Sequence, residues 1–425
     1  MRILLVADGR SPITNRWIKG LSALQYEVVL VSTFPCEQPP EVEALYVLPL
    51  AFSGLAGSQV NQKTAESPAS TSGFRRSVSR FRPLFQRGRY WFGPLTVRYY
   101  ASRFRRIVEA EAPDLIHALR IPFEGMLAAT APQGVPVLAS IWGNDLTLHA
   151  VGSPRMRRWT ERVMNRLDGL MADAQRDIRL AQQWGYLADK PSLVVPGSGG
   201  IDLDEIERAE TSMAGLEKYG ISADQPFVVN PRGFRPGSVR NDVFFQSIPL
   251  ILERHPDVKF ICLAMQGQEE ANRWVQQFKI GSQVRLLPYL SQSELWQLFR
   301  NAKASVSISS HDGTPNSLLE AMACECFPIV GDIESLREWI TPGVNGLLVE
   351  PGKPQDVAEA VILALNNEAL RQKAAAENRK LIEERCEINL VRGQIEVFYD
   401  SILINNGCPS AAAFAGFEQS LTTRS

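Results

Sequence analysis

Continuous apolar runs alternating with helical patterns restrict this chain more than any other feature. Ile3-Leu4-Leu5-Val6-Ala7 has no polar alternation, the pattern of a strand buried on both faces. Ile13, Trp17, Ile18, Leu21 and Leu24 follow at helical spacing, and Val28-Val29-Leu30-Val31 is the next strand. Further strands are expected at residues 114–118, 136–140, 168–172 and 192–195. The second half repeats the scheme, with strands expected at 227–230, 259–263, 283–287, 304–308 and 327–330. Helices are expected between them at 243–254, 269–278, 294–300 and 314–325, and long helices from 355 to 403. Such alternation implies right-handed βαβ units wound into parallel sheets.

A chain of 425 residues is too long for one core. The fold class expected is α/β, with two Rossmann-like, doubly wound parallel-sheet domains facing across a cleft. The glycine-rich turn Val194–Gly200 is the natural hinge, giving domains 1–195 and 196–387 and a tail, 405–425, that reads as disordered. Residues 53–106 form an insertion in the first domain. Its 53–73 part reads as a flexible loop, and 74–106 carries ten arginines, nine aromatics and no acid. That segment is either a solvated basic helix or a surface that touches anionic lipid. Nothing else suggests nucleic acid, since the net charge is −1 and no matching module is present.

The chain starts directly on a strand, so a signal peptide is not expected, and no apolar run approaches the ~20 residues that span a bilayer. Six scattered cysteines without C-x-x-C spacing fit a reduced, cytoplasmic chain. Cys324 and Cys326 read as a buried helix end. The first βα turn, Ala7-Asp8-Gly9-Arg10-Ser11-Pro12, has one glycine where a dinucleotide fingerprint needs three. A Walker lysine, a G-x-S-x-G elbow and a histidine metal cluster are absent too. Asp202-Leu203-Asp204 matches a metal D-x-D by letters, but capping explains it better. The expectation is therefore no metal and no cofactor.

The richest segment is Ser309-Ser310-His311-Asp312-Gly313-Thr314-Pro315-Asn316-Ser317-Leu318-Leu319-Glu320-Ala321-Met322-Ala323. Thr314-Pro315 reads as cap and first turn of a helix, with Asp312 before it and Glu320 two turns inside. Free N–H groups at the positive end of such a helix can hold a diphosphate, with a carboxylate on either side for hydroxyls. A sugar nucleotide supplies both groups. Asn230-Pro231-Arg232-Gly233-Phe234-Arg235-Pro236 follows a predicted strand, so Arg232 and Arg235 emerge at the same sheet edge, and Arg240 starts the next helix. Guanidinium groups suit a diphosphate because they stay charged and donate in a fork.

In these motifs the chain resembles the retaining nucleotide-sugar glycosyltransferases of family 4, which have the two-domain GT-B fold. That family carries Glu-x7-Glu followed by Ala-Met-Ala, and here the match is Asp312-x7-Glu320-Ala321-Met322-Ala323. The resemblance implies that Asp312 meets hydroxyls of the donor sugar and Glu320 those of the ribose. Gly313, Thr314 and the amides of Asn316, Ser317 and Leu318 would surround the diphosphate. Arg232 would be one phosphate ligand, with Arg235 or Arg240 the second. Arg232, Arg240 and Asp312 are thus the catalytic candidates. Trp142-Gly143-Asn144-Asp145 resembles the acceptor-side loop, so Asn144, Asp145 and His117 are acceptor-side candidates. Leu119 stands where the family often has a second histidine, so a core or capping place suits His117 better than an acceptor role. A final helix, 388–404, would return to the first domain. The implied partners are a nucleotide-sugar donor and a glycan or lipid-linked acceptor, at a cytoplasmic, membrane-peripheral place. A nucleotide-sugar epimerase of the same layout and a non-catalytic binding protein are the alternatives.

Overall fold

Each half of the chain builds its own parallel sheet in the computed structural model, which describes residues 1–55, 82–209, 217, 219–222, 225–235 and 237–407. The flexible-loop expectation for 53–73 is corrected at Ser53–Leu55, a 3-10 turn tied to the Thr33 carbonyl by the Ser53 hydroxyl. Its remainder, the start of the basic segment and most of the tail, with Cys408, fall outside those residues. The chain divides into one unit of Met1–Gly199 with the last helix, from Asn389 on, and a second unit of Gly200–Ile388.

The first unit holds β1 (Arg2–Ala7), β2 (Glu27–Ser32), β3 (Ala44–Val47), β4 (Leu115–Ala118), β5 (Val137–Ile141), β6 (Gly169–Ala172) and β7 (Ser192–Val194). Their order is β3-β2-β1-β4-β5-β6-β7, and every pairing is parallel. Alternate residues point to opposite faces, which is why the apolar runs are unbroken. Leu4, Val6, Val29 and Val31 feed one core, and Ile3, Leu5, Val28 and Leu30 the other. The second core is completed by the Ile388–Asn405 helix through Val391, Ile395, Tyr399 and Ile402.

The second unit holds β8 (Phe227–Asn230), β9 (Lys259–Cys262), β10 (Val284–Leu286), β11 (Ala304–Ser307), β12 (Pro328–Gly331) and β13 (Leu347–Val349), in the order β10-β9-β8-β11-β12-β13. Val228, Phe260 and Ile329 pack on one face, while Val229, Ile261 and Val330 pack on the other. Cys324 and Cys326 are buried in the latter core at the end of the Asn316–Ala323 helix. Asp202 caps the Leu203–Arg208 helix, its Oδ1 accepting from Glu205 N at 2.8 Å. In each sheet the strand order reverses, between β1 and β4 and between β8 and β11. Loops at the carboxyl ends of those strands are where such sheets bind ligands.

Two strands, β3 and β13, were not expected. Both are short edge strands, apolar in sequence but mostly only half-buried, as strands with one free edge can be.

Candidate active site

In the second unit the switch between β8 and β11 brings together the two segments singled out above. Asn230 at the end of β8 is buried and fixes the loop that follows. Its Nδ2 donates to Asn241 Oδ1 at 3.0 Å, and its Oδ1 accepts from Arg232 N at 3.2 Å. Asn241 Nδ2 in turn donates to the carbonyl of Gly233 at 2.7 Å. Gly233 sits at φ +58°, where a Cβ would stand 3.0 Å from that of Ala264, so the turn suits glycine on both counts. The loop so held aims Arg232 across to β11, where its Nη2 donates to Asp312 Oδ2. Ser309 Oγ donates to the same oxygen at 2.9 Å, and Ser335 Oγ donates to the Asp312 carbonyl at 2.8 Å.

The helix after Asp312 begins later than its sequence implies. Pro315 is the N-cap with an extended ψ of 128°, and the helix runs Asn316–Ala323. Thr314 is not the cap, because Pro315 holds that place; the Thr314 hydroxyl accepts from Trp339 Nε1 at 2.8 Å. Glu320 is accordingly one turn inside rather than two. It is buried, and its Oε1 accepts from Gln292 Nε2 at 2.7 Å. The Leu318 amide donates to the Pro315 carbonyl at 2.9 Å, which corrects its place among the free donors. The N–H groups of Asn316 and Ser317 remain at the tip. Gly313 is buried.

Arg240 and Arg235 do not join this cluster in the same way. Arg240 lies at the start of the Asn241–Leu252 helix and makes a two-pronged bond to Asp242, at 2.9 and 2.8 Å. That bond draws the Asp242 carboxyl below its ordinary value. Arg235 is exposed. Two polar groups near the helix tip are buried without a partner, Arg232 Nε and Ser317 Oγ. Native folds leave few such groups unpaired, and a bound anion or hydroxyl would satisfy both.

The first unit has its own cluster at the ends of β4 and β5. His117 is not an acceptor-side group. It is fully buried, with Nδ1 bonded to Tyr399 OH at 2.7 Å and Nε2 to Ser140 Oγ at 2.8 Å. Burial pushes its imidazole down to about 3. Asp145 is also buried, accepting from Ile121 N at 3.1 Å and from Arg120 Nε at 3.1 Å. It positions Arg120 and does not itself face outward. Asn144 Oδ1 accepts from Arg120 Nη2 at 3.0 Å.

Arg120 and Glu124 are the residues that sequence reasoning missed. Between them Phe123 adopts φ +70°, ψ −53°, a strained γ-turn of the kind that collects at functional sites. Glu124 Oε1 accepts from Thr33 Oγ1 at 2.8 Å. Burial raises its carboxyl above the ordinary value, against the pull of Arg120. Only the Pro122 next to the turn hinted at irregular backbone here.

Comparison with known proteins decides the family. Residues 8–197 match the glycosyl transferase 4-like domain, and residues 217–381 match the glycosyl transferases group 1 domain. The chain belongs to the glycosyltransferases. It is 25% identical to the phosphatidyl-myo-inositol mannosyltransferase of Mycobacterium leprae over 317 residues, covering 71% of this chain and 77% of that one. It is 23% identical to the N-acetyl-alpha-D-glucosaminyl L-malate synthase of Bacillus anthracis, over 83% of this chain and 94% of that one. Among solved structures, Anabaena HepE in complex with UDP and glucose superposes with a TM-score of 0.67 at 14% identity, covering 94% of this chain and all of that one. The sucrose-phosphate synthase of Thermosynechococcus elongatus gives 0.67 at 15% identity, over 95% and 100%. The fold of this glycosyltransferase is GT-B.

Proposed function

We propose that this glycosyltransferase moves a hexose-type sugar from a UDP- or GDP-linked donor to an acceptor hydroxyl, keeping the anomeric configuration and using no metal. The observation that carries this reading is the pair of unpaired buried groups, Arg232 Nε and Ser317 Oγ, at a helix tip flanked by Asp312 and Glu320. In the reaction the bond between the anomeric carbon and the diphosphate oxygen breaks, and negative charge grows on the diphosphate. Arg232 and the Asn316 and Ser317 amides answer that charge. The acceptor hydroxyl bonds to the anomeric carbon on the face being vacated and gives its proton to the departing phosphate oxygen. Glu320 takes the ribose hydroxyls and Asp312 those of the sugar. On the first unit, Arg120 and Glu124 are the groups offered to the acceptor.

The acceptor class we infer is a glycan, lipid-linked or polysaccharide-precursor hydroxyl. Its support is the relatives, which include a transferase named for a diphospho-undecaprenol substrate in Campylobacter jejuni. The test is Arg232→Ala, with donor hydrolysis and sugar transfer followed together, in buffer with and without EDTA. Losing one preorganised donor costs about 3 kcal/mol, so the rate falls about a hundredfold. Wild-type rates in the variant would sink the assignment of Arg232, and a rate abolished by EDTA would sink the metal-free one.

A further inference from the structure

The basic segment of the first unit lies on the Arg82–Glu111 helix, which Pro94 interrupts. Proline has no N–H to donate to the carbonyl four residues back, here that of Tyr90. Ser153 Oγ donates to that carbonyl instead, at 2.8 Å, and Arg155 Nη1 donates to the carbonyl of Trp91 at 2.7 Å. Ser153 is also the N-cap of the Pro154–Arg166 helix, accepting from Met156 N at 3.1 Å. The break in one helix is therefore the seat of the next.

A pocket of about 290 Å³ opens between them. Four arginines line it, Arg98 from the first helix and Arg155, Arg158 and Arg162 from the second, over Leu95 and Trp159. No acid lines it, and Glu161 on the second helix is held by Arg157 at 3.4 Å. Beside the pocket the first helix exposes Trp91, Phe92, Leu95 and Tyr99, by 47%, 55%, 44% and 76%. Their spacing puts them on one face. Uncompensated cations repel one another, and exposed aromatics lose their burial energy to water. A partner that is anionic at one end and apolar at the other relieves both costs.

We propose that this pocket seats the phosphate of an anionic lipid head group, while Trp91, Phe92, Leu95 and Tyr99 enter the adjoining interface and hold the first unit on the bilayer. The volume is near the lower end of the roughly 300–1,000 Å³ range of ligand pockets, which suits a head group and not a whole lipid. Three of the four arginines come from a helix outside the 74–106 segment, so the surface is built by packing. Among the described residues no helix is long and apolar enough to cross a membrane, and this contact would be peripheral. The proposal concerns where the enzyme sits and is independent of which sugar it moves.

The test is flotation of the full chain with vesicles of phosphatidylcholine alone, or with about a third phosphatidylglycerol. Binding is expected only to the anionic vesicles, and it should weaken as salt rises. Arg158→Gln with Arg162→Gln should lower partitioning about 25-fold, at about fivefold per arginine near such a surface. A control pair on the second unit, Arg254→Gln with Arg273→Gln, removes the same charge and should change partitioning little. Trp91→Ser with Phe92→Ser should abolish the binding that survives high salt. Donor hydrolysis and thermal melts of the pocket pair should match wild type, which separates lost binding from misfolding. Equal losses in the pocket and control pairs, equal binding to neutral vesicles, or capture of a single-stranded oligonucleotide without vesicle binding would each overturn the proposal.

Discussion

Arg232 and Asp312 form an ion pair, so a diphosphate must compete with a carboxylate for the guanidinium. This makes the two acids of the site unequal. Glu320 is buried and accepts from the neutral amide of Gln292, whereas Asp312 is paired with a guanidinium. Hydrogen bonds to charged groups contribute about 1.5–3 kcal/mol. Glu320→Gln should therefore raise the donor KM at least tenfold, to a similar degree for every sugar on the same nucleotide. Asp312→Asn frees Arg232 while removing the sugar contact, so it should change kcat and the ranking among sugars. Steady-state kinetics over a panel of nucleotide sugars would separate these effects, and identical patterns in the two variants would refute the division. One glycine is equally exposed to test. A Cβ on Gly331 of β12 would stand 2.2 Å from the Ser309 carbonyl, a backbone atom that cannot yield without moving the loop to Asp312. Gly331→Ala should weaken donor binding more than it lowers the melting temperature, which calorimetry with and without UDP would show.

Elements carry a second kind of information. The interior strands were legible because burial on both faces leaves an apolar run in the letters. Edge strands β3 and β13 are short and, though apolar, were missed. Helix starts were less legible: Thr314 followed by Pro315 has the letters of a cap, but the Trp339 indole claims the threonine and Pro315 takes the N-cap position. The Pro154–Arg166 helix shows the opposite case, since one hydroxyl serves two elements. Ser153→Ala removes an N-cap and the hydroxyl bond to the Tyr90 carbonyl, and should cost about 2 kcal/mol. Urea unfolding would measure this; a loss within error of zero would mean that the Pro94 break is satisfied some other way.

At the scale of the whole molecule, the last helix is locked to the first unit by a buried polar pair, Tyr399 and His117. Burial takes His117 down to about 3 from an ordinary 6.5. Burial, then Arg120, takes His149 down to about 4. Both are neutral in the folded protein and bind protons below pH 6.5 once unfolded. Their contribution is therefore complete above about pH 6.5 and is lost as pH falls, by up to about 1.4 kcal/mol per pH unit for each. Glu124, raised by burial, works in the opposite sense above its ordinary 4.5. Comparing wild type with His117→Asn isolates the first term. The variant should be less stable at neutral pH and show a shallower decline from about pH 6.5 toward 4, and parallel curves would exclude a neutral buried His117.

Periodicity, turn residues and the Asp312 to Glu320 spacing are local properties, so the letters alone determined two parallel-sheet halves, a phosphate-compatible helix tip and the opposing Arg232. What residues far apart in the chain do to one another was decided only by packing. Tyr399 turned His117 from an acceptor candidate into a core residue. Asp145 became the anchor of Arg120, which no motif marked. Arg98 was joined by three arginines of a distant helix whose N-cap, Ser153, bonds the Tyr90 carbonyl.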